Sequence, residues 1–335
     1  MNTSLPPAGP ALPVVSLITP AWNVAPYISQ AIQSARSQTL QNIEIIVIQN
    51  GSTDGTAAEI ARHAEDPRLV VLESPVNLGP GAGRNLGLQV ARGKYLAFLD
   101  GDDWLQPDAL AQAVAAAERD AADLVLFGYI RWTPRRRKVH FPPLLSGDLE
   151  SDRCKAITGT LALCMRLLRR DLIEQQALKF PEGRYEDMAW SIRTAMTATQ
   201  IVAVRQPLYV YRKRPGSTLM SRSLHHWDAL AQWRAIAQAV NDAQASRPIR
   251  RAVAQAMARQ TRRIFVSHRL PRASEATYFQ EAGDIIDAFC RGDWPNCEAQ
   301  ALGQHRSKLY WPMLFPARAI NRISRLRPPA APPSA

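Results

Sequence analysis

Between residues 14 and 130 the chain alternates short runs rich in β-branched residues with longer stretches whose apolar positions recur at helical spacing. The short runs are VVSLIT (14–19), IEIIVIQ (43–49), LVVLE (69–73), YLAFLD (95–100) and LVLFGYI (124–130). Their near-continuous apolar character predicts strands covered on both faces, and hence a mostly parallel sheet. The stretches around 27–37, 54–63, 82–92 and 108–122 supply helical crossovers between them. The pattern is that of an α/β fold, a Rossmann-like doubly wound sheet with helices on both faces. From about residue 217 onward it turns helical, with Trp227, Leu230, Trp233, Ile236 and Val240 spaced as one buried stripe.

Ligands of doubly wound sheets bind beyond the carboxyl ends of the strands. The first run ends in Thr19-Pro20-Ala21-Trp22-Asn23, the second in Gln49-Asn50-Gly51-Ser52-Thr53-Asp54-Gly55, and the fourth in Asp100-Gly101-Asp102-Asp103-Trp104. Taken singly, the second is an ordinary turn into an N-capped helix and the fourth a helix-entry loop before Pro107. On one sheet edge they unite an aromatic face, a small polar turn and a carboxylate cluster. Asp100, Asp102 and Asp103 repel one another unless a cation or solvent relieves them. Mg²⁺ or Mn²⁺ commonly takes one or two carboxylates and completes its shell with substrate phosphate oxygens. The cluster therefore points to a divalent metal cofactor and a diphosphate, with Trp22 offering its face to a nucleobase.

Composition narrows the class. The 335 residues suffice for one large domain or two smaller ones, and 41 Lys and Arg against 29 Asp and Glu leave a formal charge of +12. Much of the excess sits at the end: after Glu298 there is no acid, and Arg306, Lys308, Arg318, Arg322, Arg325 and Arg327 alternate with aromatic and aliphatic residues. That composition suits a tail lying on an anionic membrane surface. Two further basic clusters, Arg250 to Arg263 and Arg135 to Lys138, read equally well as solvated helix faces. Nucleic acid is the other partner such charge suggests. It leaves the carboxylates unexplained, and none is expected here. The four cysteines show neither a CxxC pair nor zinc spacing. No secretory leader and no apolar run of about 18 residues is present, so the expected location is cytoplasmic, peripheral on the inner face of the cytoplasmic membrane.

The runs VSLITPAWNVAPYISQAIQSARSQTLQNIEIIVIQNGSTDGT and NLGPGAGRNLGLQVARGKYLAFLDGDDW resemble the N-terminal half of family 2 glycosyltransferases with the GT-A fold. The resemblance is strong over about residues 13–125 and continues in order to about 220. It implies a GT-A domain over 13–216, with a nucleotide-sugar-binding half (13–130) and an acceptor and catalytic half (131–216). Flanking it are a disordered segment over 1–12, a helical extension over 217–305 and the basic tail over 306–335. By resemblance, Pro20 and Trp22 wall the base, and Asn50 and Ser52 form the turn that reads it. Arg84 and Asn85 match a donor-side Ala-Arg-Asn segment, with Gly83 in place of alanine. Asp100 and Asp102 match the DxD motif, the first meeting ribose or sugar and the second the metal. GRYEDMAW resembles the family's Glu-Asp motif, which makes Asp187 the catalytic base with Glu186 beside it. Arg166, and Arg212 and Ser217 in YVYRKRPGST, fall in segments that line the acceptor or close over the donor.

One departure concerns the nucleotide. Family members carry acids immediately before Gly-Ser, where this chain has Gln49-Asn50; an amide can still accept the uracil imide hydrogen bond and can also donate one. The absence of a Gln-x-x-Arg-Trp motif argues against a processive synthase. The implied reaction is an inverting, metal-assisted transfer from a UDP-sugar to a glycan or lipid-linked hydroxyl in surface polysaccharide assembly. Rival readings fit less well. The Gly-x-Gly of residues 79–83 follows the third strand, whereas a dinucleotide fingerprint belongs after the first. A nucleotidyltransferase would need a glycine- and lysine-rich loop near the start. A non-catalytic basic membrane- or nucleic-acid-binding protein on a degenerate GT-A fold would leave the strand-end residues without a task.

Overall fold

A computed structural model describes residues 12–214, 222–267 and 269–290. Ser217, the basic tail and all of the N-terminal segment except Leu12 lie outside the described residues. The chain divides into two compact units. One comprises the residues up to Pro142 together with Ala162–Phe180 and Thr197–Arg212, and the other Pro143–Leu161, Pro181–Met196 and the residues from Lys213 on.

The first unit is built on a mixed sheet. Strands β1 (Val15–Ala21), β2 (Ile43–Asn50), β3 (Leu69–Ser74) and β4 (Tyr95–Phe98) are parallel in the order β3-β2-β1-β4. They alternate with α1 (Ala25–Arg36), α2 (Thr56–Ala61) and α3 (Pro80–Val90). Helix α1 buries Ile28, Ala31, Ile32 and Ala35, the i, i+3, i+4, i+7 stripe expected of a crossover helix. Gly87 lets α3 settle on the strands: a Cβ there would lie 2.6 Å from Ile18 and 3.2 Å from Ile48.

Past β4 the sheet departs from the simple parallel pattern. The two-residue β5 (Trp104–Leu105) precedes α4 (Ala109–Arg119), and β6 (Leu124–Thr133) turns back into β7 (Arg136–His140). Strand β8 (Arg166–Arg169) inserts antiparallel between β4 and β6 and leads into the short α6 (Arg170–Gln175), and β9 (Ile201–Arg212) runs parallel to β6. Two antiparallel steps leave β6 pointing as β4 does. The carboxyl ends of β1, β2, β4, β6 and β9 therefore share one edge.

The second unit is helical: α5 (Leu149–Thr158), α7 (Glu186–Thr197), α8 (Asp228–Asp242), α9 (Arg247–Val266) and α10 (Arg272–Cys290). In α8 the stripe Leu230, Trp233, Ile236 and Val240 is buried. The arginines of α9 behave as a helix surface. Arg250 donates to the Phe289 carbonyl at 2.9 Å and stacks over that ring, and Arg259 reaches the carbonyls of Thr158 and Gly159. No helix among the described residues is long and apolar enough to cross a membrane.

Candidate active site

The turns that end β1 and β2 are stitched together by small polar side chains. Asn23, held at φ 50°, accepts from the Thr53 N–H through Oδ1 at 2.8 Å, and its own N–H donates to Ser52 Oγ at 3.2 Å. Helix α1 has no cap of its own. Thr56 Oγ1 accepts from the Val24 N–H at 2.9 Å, and Asp54 Oδ2 from the Ala25 N–H at 3.1 Å, so the second turn caps the first helix. Above this frame Trp22 stands 46% exposed, with Pro20 half-buried beside it. The pair leaves an aromatic face open at the strand ends.

The structure gives the residues of the second turn different partners from those expected of base readers. Asn50 is buried, and its amide is taken up by the segment before α3: Nδ2 donates to the Gly79 carbonyl at 3.0 Å, and Oδ1 accepts from the Leu78 N–H at 3.1 Å. Gln49 Oε1 accepts from the N–H groups of Gly51 and Ser52 at 2.7 and 3.2 Å. Between them Gly51 adopts φ +67°, and a Cβ there would fall 2.2 Å from the Val76 carbonyl carbon. Both amides thus hold the shape of the turn, and Ser52 is its half-exposed polar side chain.

The carboxylate cluster resolves into three environments. Asp100 pairs with Arg84 at 2.8 Å; the arginine is buried and lies over the Phe180 ring, and the Asp100 side chain is 39% exposed. Asp103 is buried, and its two oxygens accept from the Tyr209 hydroxyl at 2.6 Å and the Arg212 N–H at 2.7 Å. Burial, then the charges of Asp102 and Asp100, push its carboxyl well up, and those two donors pull the other way. Asp102 is half-exposed on the turn. The repulsion anticipated from the sequence is thus met by protein groups at Asp100 and Asp103. Among the described residues no group of three His, Cys, Asp or Glu could hold a metal by itself. A metal shared with a diphosphate fits this donor set, and a protein cage does not.

Strand β9 fastens the turn. The Tyr209 hydroxyl accepts from the Asp100 N–H at 3.3 Å while donating to Asp103, which ties the two ends together. Arg212 Nε donates to the Asp102 carbonyl at 2.8 Å. The Arg212 guanidinium lies in an aromatic box, 4.6 Å from the Trp104 centroid, 5.0 Å from Tyr27 and 5.1 Å from Trp132, and also bonds Gln30. So enclosed, Arg212 supports the turn. Tyr209 and Asp103 belong to separate motifs far apart along the chain, and the pairing of β5 with β9 brings them together.

Arg166 is buried at the start of β8. Nearby Cys164 is buried too, and that burial pushes its thiol well up, which makes it inert. Asn85 exchanges two 2.9 Å hydrogen bonds with the backbone of Phe180.

Asp187 and Glu186 belong to the second unit, where they open α7; negative charge is favoured at a helix N-terminus. Glu186 is buried and Asp187 half-exposed. The preceding Tyr185 sits at φ 63°, a conformation that costs a bulky residue about 1–2 kcal/mol. It is held there by a 2.5 Å hydrogen bond between its hydroxyl and His226 Nδ1, and the Arg184 N–H donates to Asp228 at 2.9 Å. His226 is thus a buried support for the Glu-Asp segment, while His225 is exposed. An open groove beside α1 contains Ser29 and His63 at 2.8 Å. Arg36 donates to His63 Nδ1 at 3.1 Å, so Nε2 carries the proton and donates to Ser29. That tautomer cannot activate the serine.

Residues 16–176 match the model of the family described as glycosyl transferase family 2. An uncharacterized glycosyltransferase of Haemophilus influenzae is 32% identical over 190 residues, covering 53% of this chain and 70% of that protein. EpsH of Bacillus subtilis, named as a glycosyltransferase, is 34% identical over 211 residues, 60% of this chain and 61% of that one. The succinoglycan biosynthesis protein ExoO of Rhizobium meliloti is 29% identical over 237 residues, 67% of this chain and 68% of that one. The chain thus spans about three fifths of EpsH. Among solved structures, S. aureus TarS 1–349 with UDP-GlcNAc superposes with a TM-score of 0.70 at 22% identity, covering 93% of this chain and 90% of that one. That superposition shows a shared GT-A architecture. The family is carried by the Haemophilus relative together with the match over residues 16–176: the chain belongs to glycosyl transferase family 2.

Proposed function

We propose that this protein is an inverting glycosyltransferase that moves a sugar from a UDP-sugar to a hydroxyl of a glycan or lipid-linked acceptor in bacterial surface polysaccharide assembly. The observation that carries the reading is the Asp100–Asp103 turn. It is anchored by Tyr209 and Arg212, it carries the half-exposed Asp102, and it shares the sheet edge with the exposed Trp22. ExoO's role in succinoglycan biosynthesis and the UDP-GlcNAc bound by TarS support the pathway and the donor class.

Pro20 and Trp22 take the base, with Ser52 at the adjoining turn. Asp100, oriented by Arg84, meets the ribose or sugar, and Asp102 faces the diphosphate. When bound there, a divalent metal neutralises charge on the departing diphosphate. Asp187 removes the proton of the acceptor hydroxyl as its oxygen bonds to the anomeric carbon. The bond from that carbon to the phosphate oxygen breaks with its electron pair, which leaves with the nucleoside diphosphate. A positioned base contributes about 10²–10⁴-fold to such a step. Accordingly, Asp187→Asn lowers transfer by at least about 10²-fold and leaves UDP affinity unchanged, which steady-state transfer and calorimetry read separately. Transfer at the wild-type rate would remove Asp187 as the base.

A further inference from the structure

The four consecutive cations Arg135, Arg136, Arg137 and Lys138 form neither a helix face nor part of the nucleotide site. They occupy the tip and return strand of the β6–β7 hairpin, where all four are exposed. The register puts Arg131 directly opposite Lys138 and Thr133 opposite Arg136, so Arg131, Lys138 and Arg136 share one face of the ribbon. Like charges in directly opposed positions destabilise a strand pair. Among the described residues none of these cations is in an ion pair. The other face of β7 carries Arg137 and Val139, followed by Phe141; Val139 is 43% exposed and Phe141 54%. The ribbon is thus cationic on one side and mixed on the other, where Val139 is exposed and the half-exposed Phe141 ring lies 5.4 Å from the Arg205 guanidinium, and it holds an internal repulsion that an anionic partner would relieve.

Its direction adds to this. Strand β6 points as β4 does, so the hairpin rises from the edge of the sheet that bears Trp22 and the Asp100–Asp103 turn. A dissolved acidic polymer would satisfy the cations but leave Val139 and Phe141 in water. An anionic bilayer surface takes both, with the tip cations among the lipid phosphates and the exposed Val139 and Phe141 behind them in the headgroup layer. We propose that the β6–β7 hairpin docks the protein on an anionic phospholipid membrane and turns the strand-end edge toward it. This goes beyond the transferase reading, and it is measured without any sugar donor, so the two can fail separately.

The test is co-sedimentation of the full chain with vesicles of equal parts phosphatidylglycerol and phosphatidylcholine, or of phosphatidylcholine alone. The wild type binds the anionic vesicles, releases them as salt rises, and ignores the neutral ones. Replacing Arg135, Arg136, Arg137 and Lys138 by serine lowers partitioning by about fivefold per residue, on the order of several hundred-fold together. The thermal midpoint does not fall, because a repulsive pair has been removed. A second variant, Val139→Ser with Phe141→Ser, also weakens vesicle binding while leaving binding to dextran sulfate intact. Wild-type vesicle affinity in the quadruple variant, or no binding of the wild type to anionic vesicles, overturns the proposal. Unchanged vesicle binding in the second variant overturns it too, and would make the hairpin a site for soluble polyanions.

Discussion

Tyr209 offers a direct test of how the Asp100–Asp103 turn is held. Substitution by phenylalanine keeps the ring in its buried place on β9 and removes one oxygen. That oxygen donates to the Asp103 carboxyl at 2.6 Å and accepts from the Asp100 N–H at 3.3 Å. Leaving a buried carboxyl oxygen without its donor costs about 1–3 kcal/mol, and the longer backbone contact is worth about 0.5 kcal/mol. Asp103 keeps the Arg212 N–H at 2.7 Å, so the lower half of the range applies and the expected loss is about 2 kcal/mol. Equilibrium urea unfolding reads this as a lower midpoint with an unchanged slope. The loosened turn also misplaces Asp102, and misplacement of about 1 Å costs on the order of 10²-fold in rate. The variant should therefore lose kcat/KM for the donor by roughly 10–10²-fold under conditions where it is fully folded. A variant with the wild-type urea midpoint and wild-type donor kinetics would refute the role assigned to β9.

Two further perturbations follow from the same geometry. Gly51→Ala places a Cβ against the Val76 backbone at 2.2 Å in a left-handed residue, so strain and overpacking together should cost about 3 kcal/mol or more, measured by urea unfolding; wild-type stability would contradict the close approach. Asp66 accepts a two-pronged hydrogen bond from Arg68 and another from Arg36, and the Arg68 bond foremost holds its carboxyl far below the ordinary value of 3.8. A depressed folded-state pKa stabilises fully above the unfolded value and is lost as pH falls through the folded one, so this contribution fades from about pH 4 downward. Asp66→Asn should cost about 2 kcal/mol at neutral pH and flatten the acid limb of the stability profile, and an unchanged acid limb would refute the assignment.

The sequence was readable wherever strands alternate with helices. All five β-branched runs are strands, although β3 lies at the sheet edge with Val71 exposed and is not covered on both faces, and the helices between them appear within a few residues of their expected places. The short strand β8, Arg-Leu-Leu-Arg, is not legible because four residues set no period, and Arg166 reads by resemblance as an acceptor-side group. Strand β7 escaped because a ribbon exposed on both faces has no apolar alternation at all. The YVYR run is the end of twelve-residue β9, with Tyr209 and Val210 buried and Arg212 boxed by aromatics. At the site, Trp22 and Asp102 stand where strand-end logic puts them. Asn50 and Gln49 do not present themselves as base readers, since an amide that can read a base can equally bond a backbone loop, and composition cannot tell the two apart. Tyr209, Asp103 and His226 act through partners distant along the chain, which a single sequence does not reveal.

The central claim is that the Asp100–Asp103 turn receives the diphosphate of a nucleotide-sugar. The most direct measurement is calorimetric titration of UDP into the wild type and Asp102→Ala, each with Mn²⁺, with Mg²⁺ and with chelator. The account predicts that UDP binds the wild type more tightly with a divalent metal than with chelator, and that Asp102→Ala abolishes this difference while the protein stays folded. Metal-independent UDP binding that Asp102→Ala leaves unchanged, or no UDP binding to the folded wild type under any condition, would contradict it.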